Sequence, residues 1–144
     1  MKQVPYRDGG RIPLLVAAAV AIVEGQMVAT NAEGFAVPAH DTNAKLFFGR
    51  AEHSVDNTQG ADGAQYITIT RNRQFLLTND STTPLTQADI GKQVTITADG
   101  AVSQAVAGKL IVGTMMGLDG GTHVWVNVSD VPTGVLPSFG STPL

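Results

Sequence analysis

Tyr66-Ile67-Thr68-Ile69-Thr70 alternates strictly between polar and apolar side chains, and Val124-Trp125-Val126-Asn127-Val128 alternates again further along the chain. A strand turns successive side chains to opposite faces, so a period of two marks a half-buried β-strand. Ile67 and Ile69 are expected to face a core, and the three Val of the second stretch share one face. Val94-Thr95-Ile96-Thr97 alternates again and runs into the turn Ala98-Asp99-Gly100. Leu110 to Leu118 (LIVGTMMGL) is apolar but broken by Gly113 and Gly117, which predicts a bulge or a close backbone approach. Asp119-Gly120-Gly121 then reads as a hairpin turn.

Outward from these segments the chain keeps the same texture. Ala19 to Val23, Gln26 to Thr30, Phe35 to Val37, Ala44 to Arg50 and Gln74 to Thr78 are short apolar stretches. They are separated by Glu24-Gly25, by Asn31 to Gly34 and by the polar loop Asp56 to Gly63. Thr86-Gln87-Ala88-Asp89 is the one helical start signal, and Gly91 limits it to a single turn. Many short strands with Gly and Pro turns predict an all-β fold, a small barrel or sandwich with an extended N-terminal arm and C-terminal tail. The expected organisation is an arm over residues 1–15, a β domain over 16–130 and a Pro-rich tail over 131–144. Pro5 disfavours helix in the arm. The tail holds three of the seven Pro and no charge, and Val135, Leu136, Phe139 and Leu144 give it apolar docking points.

The 144 residues are 43% hydrophobic and only 15% charged, against about 25% charged in an average soluble protein. That balance is the opposite of a disordered chain. Net charge is −3 and no run of Lys or Arg exists, so a phosphate-tracking nucleic-acid surface is not expected. The absence of Cys excludes disulfides, thiolate metal sites and Cys nucleophiles. Ile12 to Val23 is too short to span a bilayer as a helix. It imitates the apolar region of a signal peptide, but Asp8 and Pro13 sit badly in that pattern, and a buried strand is the preferred reading.

Chemistry-bearing motifs are missing. There is no GxxxxGK[ST], GxGxxG or GxSxG. Ser54, His40 and several Asp supply triad ingredients without a recognisable arrangement. His40, His53 and His123 lack metal-ligand spacing, and the reading for them is surface or interface histidine. Asp56, Asn57, Asp62 and Gly63 do not follow the calcium-loop pattern and read as an ordinary solvated loop. Glu24, Glu33 and Glu52 form no acid pair. The single Trp, Trp125, is expected half-buried on its strand, with an interface anchor as the alternative. No catalytic residue, cofactor or metal is expected, and the chain is not read as an enzyme. Extended ends on an all-β module favour a structural role, since an arm can add a strand to another subunit's sheet edge.

The order of these signals carries a resemblance. Asn79-Asp80-Ser81-Thr82-Thr83-Pro84, then Thr86-Gln87-Ala88-Asp89-Ile90-Gly91-Lys92, the strand Val94 to Thr97 and Asp99-Gly100 resemble the capsid decoration (cement) proteins of tailed bacteriophages. Val112-Gly113-Thr114-Met115, Asp119-Gly120 and Val124-Trp125-Val126 match the family's closing strand, turn and strand, and Val20 to Val28 matches its N-terminal unit loosely. Asp41 to Gly63 and the tail after Asp130 do not align.

The resemblance implies a non-enzymatic subunit on the outer surface of the virion capsid, made in the host cytoplasm. It implies a homotrimer over three-fold and quasi-three-fold positions, bound to the major capsid protein and stabilising the coat lattice. No nucleic acid, membrane or small-molecule substrate is implied. Capsid contact is then expected from Lys2, Gln3, Val4, Pro5, Tyr6, Arg7 and Asp8, with Val4 and Tyr6 as anchors. Val135, Leu136 and Phe139 are expected at the trimer seam or the coat. Alternatives are another virion part (head fibre, tail or connector), a secreted β-sandwich binding module, or a small β-barrel hydrolase.

Overall fold

The structure, a computed structural model, describes residue 5, residue 7 and residues 9–137. It is built almost wholly from twelve strands: β1 (Arg11–Leu15), β2 (Val20–Ile22), β3 (Met27–Thr30), β4 (Ala36–Pro38), β5 (Leu46–Ala51), β6 (Val55–Asn57), β7 (Tyr66–Thr70), β8 (Arg73–Thr78), β9 (Gln93–Ile96), β10 (Val102–Gln104), β11 (Ile111–Asp119) and β12 (His123–Val128). One five-stranded antiparallel sheet, here sheet A, has the order β1-β7-β5-β3-β4. A second, sheet C, runs β10-β9-β11-β12-β8, and β2 and β6 form a two-stranded ribbon, B. The all-β expectation therefore holds, as a sandwich.

The alternating stretches land as strands. Ile67 and Ile69 of β7 are fully buried, and so are Val124 and Val126 of β12, with Val128 close behind. Each such side chain contributes roughly 1.5–3 kcal/mol relative to leaving it in water. The main core lies between the sheets, where Met27, Ala29, Val37 and Phe47 of sheet A meet Val94, Val112, Met115, Val124 and Val126 of sheet C. A second core lies on the far face of sheet A. There Ile12, Val28, Ala51, Ile67 and Ile69 pack with Ile22, and Val20 and Val55 border them from ribbon B. Sheet A is thus filled from both faces, and all four residues of β3 are buried. That explains why Met27 to Thr30 shows apolar continuity rather than alternation.

Three local features follow the sequence closely. β11 shifts register between Ile111 and Gly113 against β9, and between Met115 and Gly117 against β12. A Cβ on Gly113 would collide with the Asn127 carbonyl, so the glycine is the close approach that its position suggested. Asp119 pairs with His123 around Gly120-Gly121-Thr122, closing the hairpin. Gln87–Asp89 is a single 3-10 turn, and Gly91 follows with φ +88°.

Two boundaries differ from the sequence expectation. Arg11 to Leu15, assigned above to the arm, is edge strand β1, paired residue by residue with Thr70 to Tyr66. Its Pro13 faces away from the core, which suits an edge. The apolar run Ile12 to Val23 is not one strand: it breaks after Leu15, and Ala19 takes a positive φ of 61° before β2 begins. The tail does not leave the domain at residue 131 either. Phe47 and Thr133 exchange backbone hydrogen bonds at 2.7 and 3.3 Å, while Ile111 N–H donates to Gly134 O at 2.9 Å and Leu136 N–H to Lys109 O at 2.8 Å. Residues 133–136 are a strap joining sheet A to the start of β11, on the side of that strand that β12 leaves open. Pro132 and Pro137 flank the strap and lack the N–H that further pairing would need.

Candidate interaction surfaces

Of the expected capsid-contact residues, Lys2, Gln3, Val4, Tyr6 and Asp8 lie outside the described residues, while Pro5 and Arg7 are exposed. The root of the arm is well defined. Arg71 N–H donates to Gly10 O at 2.8 Å, and its guanidinium Nε–H donates to Gly9 O at 2.8 Å. One residue in the β7–β8 turn therefore holds the chain where it enters edge strand β1. Phe139 lies outside the described residues. Val135 is 38% exposed and bridges Leu110, while Leu136 is half-buried, so the strap presents Val135 rather than Leu136 outward.

The outer face of sheet C carries a second surface. Trp125 pairs with Leu76 on β8 and with Gly117 on β11, so these positions share the outward face. Trp125 is 40% exposed and Leu76 42%, and Met116 at the β11 bulge is exposed too. Trp125, expected half-buried on its strand with an interface anchor as the alternative, is thus exposed. β8 is an edge of sheet C, but the sheet curls so that Asn79 meets Val102 of β10 in a parallel bridge and Asp80 N–H donates to Val102 O at 2.9 Å.

Several polar residues serve local construction. Asn79 is buried, and its side chain both donates to Leu85 O (3.1 Å) and accepts from Leu85 N–H (2.8 Å), pinning the loop 80–85. The Thr83 N–H and hydroxyl on Asp80 hold its carboxyl below its ordinary pKa. In the same way the Thr58 hydroxyl and then its N–H lower Asp56. The Thr86 N–H lowers Asp89, against the opposing effect of desolvation, with help from Gln104, the Thr86 hydroxyl and Lys92. Asp62 accepts from Ala18 N–H at 2.7 Å. Asn57, only 2% exposed, donates from Nδ2 to Val16 O, Ala17 O and Ala61 O at 3.3, 2.9 and 3.0 Å. Asp56 and Asn57, expected in a solvated loop, instead belong to strand β6 with Asn57 buried, and the loop proper begins at Thr58 and is tied to the 16–18 segment.

The histidines are separate. His53 Nε2 accepts from Thr68 N–H at 3.1 Å, and its ring meets Tyr66 edge-on at 6.2 Å. This is the tautomer that carries its proton on Nδ1, 3.5 Å from Ser54 O. His40 lies 3.9 Å from Asp41, and His123 Nδ1 is 2.9 Å from the Thr122 hydroxyl. Ser54 Oγ accepts from Glu24 N–H at 2.8 Å, and no hydrogen bond links it to a histidine ring among the described residues. Among those residues, no three His, Asp or Glu are grouped to hold a metal ion, and no helix is long and apolar enough to cross a membrane.

Sequence reasoning missed the concentration of arginine. Arg11 and Arg50 both pair across the sheet with Thr70, and Arg71 follows in the β7–β8 turn with Arg73 opening β8. These positions are far apart in sequence, and only the strand order β1-β7-β5 assembles them. Comparison with known proteins finds no family model, no curated relative and no solved structure that matches this chain.

Proposed function

We propose that this chain is a capsid decoration protein of a tailed bacteriophage. It binds the outer surface of the mature head as a homotrimer at three-fold and quasi-three-fold positions and stabilises the coat lattice. The observation that carries the reading is the clamped arm root: Arg71 fixes Gly9 and Gly10 where the chain passes into edge strand β1. An arm launched from a fixed point on a rigid sandwich can reach a neighbouring subunit's sheet edge and gain main-chain hydrogen bonds there. Outward-facing Trp125, Leu76 and Met116 add apolar surface of the kind that marks protein contacts. The ordered turn and strand signals from Asn79 to Val128 supply the link to a phage head.

The mechanism is mass action. A subunit that binds only the expanded lattice stabilises that state, and three linked arms turn weak contacts into avid ones. Quantitative mass spectrometry of purified particles tests it, by the copy number of this chain relative to the major capsid protein. A ratio comparable to the coat protein supports lattice-wide decoration. A few copies per particle would move the assignment to a head fibre, tail or connector, and absence from particles would sink the virion reading. Deleting residues 1–8 should abolish capsid binding while leaving the sandwich folded, because β1 begins at Arg11.

A further inference from the structure

We infer that the arginine-lined cleft at the β7–β8 turn is a carboxylate-binding site for an acidic segment of a partner protein. The cleft has a volume of about 370 Å³ and is lined by Gly10, Arg11, Thr70, Arg71, Asn72 and Arg73. Arg50 is not part of that lining: its guanidinium packs beside Gly25 and Glu52. Three of the chain's five arginines therefore line one corner of a protein whose net charge is −3.

The corner's charge is poorly compensated. Glu52 is the one acid paired there among the described residues, 4.0 Å from Arg11 and 3.5 Å from Arg50. Arg71 donates one guanidinium N–H to Gly9 O, and no ion pair engages Arg71 or Arg73 among the described residues. A second, independent feature sits in the wall. Thr70 is 5% exposed, and its buried hydroxyl has no hydrogen-bond partner. A buried hydroxyl without a partner is unfavourable, and such groups call for an explanation. A ligand oxygen drawn between the guanidinium forks would accept from it.

Carboxylate suits the cleft better than a nucleic-acid backbone. Arginine's planar fork matches a carboxylate bidentately, and the Glu52 carboxylate already lies within ion-pair distance of Arg11 and Arg50. A long polyanion would run beyond this corner onto a surface where acids outnumber bases. A short acidic segment needs only the corner itself. The inference does not depend on the virion reading.

The test uses the full chain with a blocked peptide of alternating aspartate and glutamate as probe, followed through the arginine Nε–H signals by NMR. Inorganic phosphate at equal ionic strength is the parallel arm. The peptide should shift the Arg11, Arg71 and Arg73 signals saturably, with affinity falling as salt rises. Arg11→Gln combined with Arg73→Gln should weaken binding at least tenfold, and Lys109→Gln, outside the cleft, should not change it. Thr70→Val should weaken binding several-fold while leaving the fold as stable or more so, an outcome a purely structural threonine would not give. The inference is overturned if the peptide produces no saturable shift, if phosphate competes equally well, or if either the arginine pair or Thr70→Val leaves affinity unchanged in a folded protein.

Discussion

Replacing Asn57 tests whether one buried amide ties the loop 58–65 to the segment that precedes β2. In Asn57→Ala the Nδ2 group is lost from three carbonyls, those of Val16, Ala17 and Ala61. The three are not equally exposed to that loss. Val16 O also accepts from Gly63 N–H at 2.9 Å, and Ala61 O from Ala64 N–H at 3.1 Å. Ala17 O has no second donor among the described residues. One carbonyl stripped of its partner costs about 1–3 kcal/mol, and two that keep a partner add less, for a total of about 2–4 kcal/mol. For a chain of this size that lowers Tm by roughly 6–16 °C. Urea unfolding followed by far-UV circular dichroism gives the number, and the m-value should not change. Asn57→Asp sharpens the test, because it turns the donor into a carboxylate facing carbonyl oxygens. It should destabilise more than alanine at neutral pH. Its folded pKa is then raised, so its penalty relative to wild type shrinks as pH falls and the protonated carboxyl can donate one bond. A loss under about 1 kcal/mol for Asn57→Ala, or an Asp variant no worse than alanine at pH 7, would refute the clamp.

Gly113→Ala should destabilise by about 1–3 kcal/mol, since its Cβ meets the Asn127 carbonyl rather than open space, and calorimetry checks it against Gly121→Ala at the open hairpin tip. Ending the chain after Val131 removes the strap's backbone bonds to Phe47, Lys109 and Ile111 and should cost about 2–4 kcal/mol, read as a lower urea midpoint. Asp56, Asp80 and Asp89 all have folded pKa values below the ordinary 3.8, so their contribution is complete above that value and is lost as pH falls through the lowered ones. The urea midpoint should therefore decline below about pH 4, and Asp80→Asn should flatten that decline.

What the sequence reveals and hides has a physical pattern. β7, β9 and β12 are legible because polar and apolar residues alternate along each, turning Ile67, Ile69, Val94, Ile96, Val124 and Val126 to a core, although Thr70 and Thr95 on the opposite faces are buried as well. The Gly113 approach and the Thr86 turn are legible because glycine and capping residues act locally. β3 is harder to read, because burial on both faces erases alternation. β1 reads as arm because an edge strand containing Pro13 resembles an extended linker until Thr70 to Tyr66 are placed beside it. The strap and the arginine corner depend on long-range pairing: Phe47 with Thr133, and Arg11 with Thr70 beside the β7–β8 turn. Asn57 reads as one polar residue of a solvated loop, and nothing in its neighbours foretells the backbone acceptors at Val16 and Ala17, some forty residues earlier.

The double burial of sheet A makes the molecule its own stability gauge. β3 has β5 on one side and β4 on the other, and a packed core against each face. Its paired amides can meet solvent deuterium only when both sheets come apart, so their exchange should report the global free energy of unfolding. β8 lies at a sheet edge with no residue fully buried, and its amides should exchange by local fraying. The gap between the two rates measures how far the edge can open while the centre stays closed. A partner that seats on the outer face of sheet C would narrow that gap from the β8 side alone.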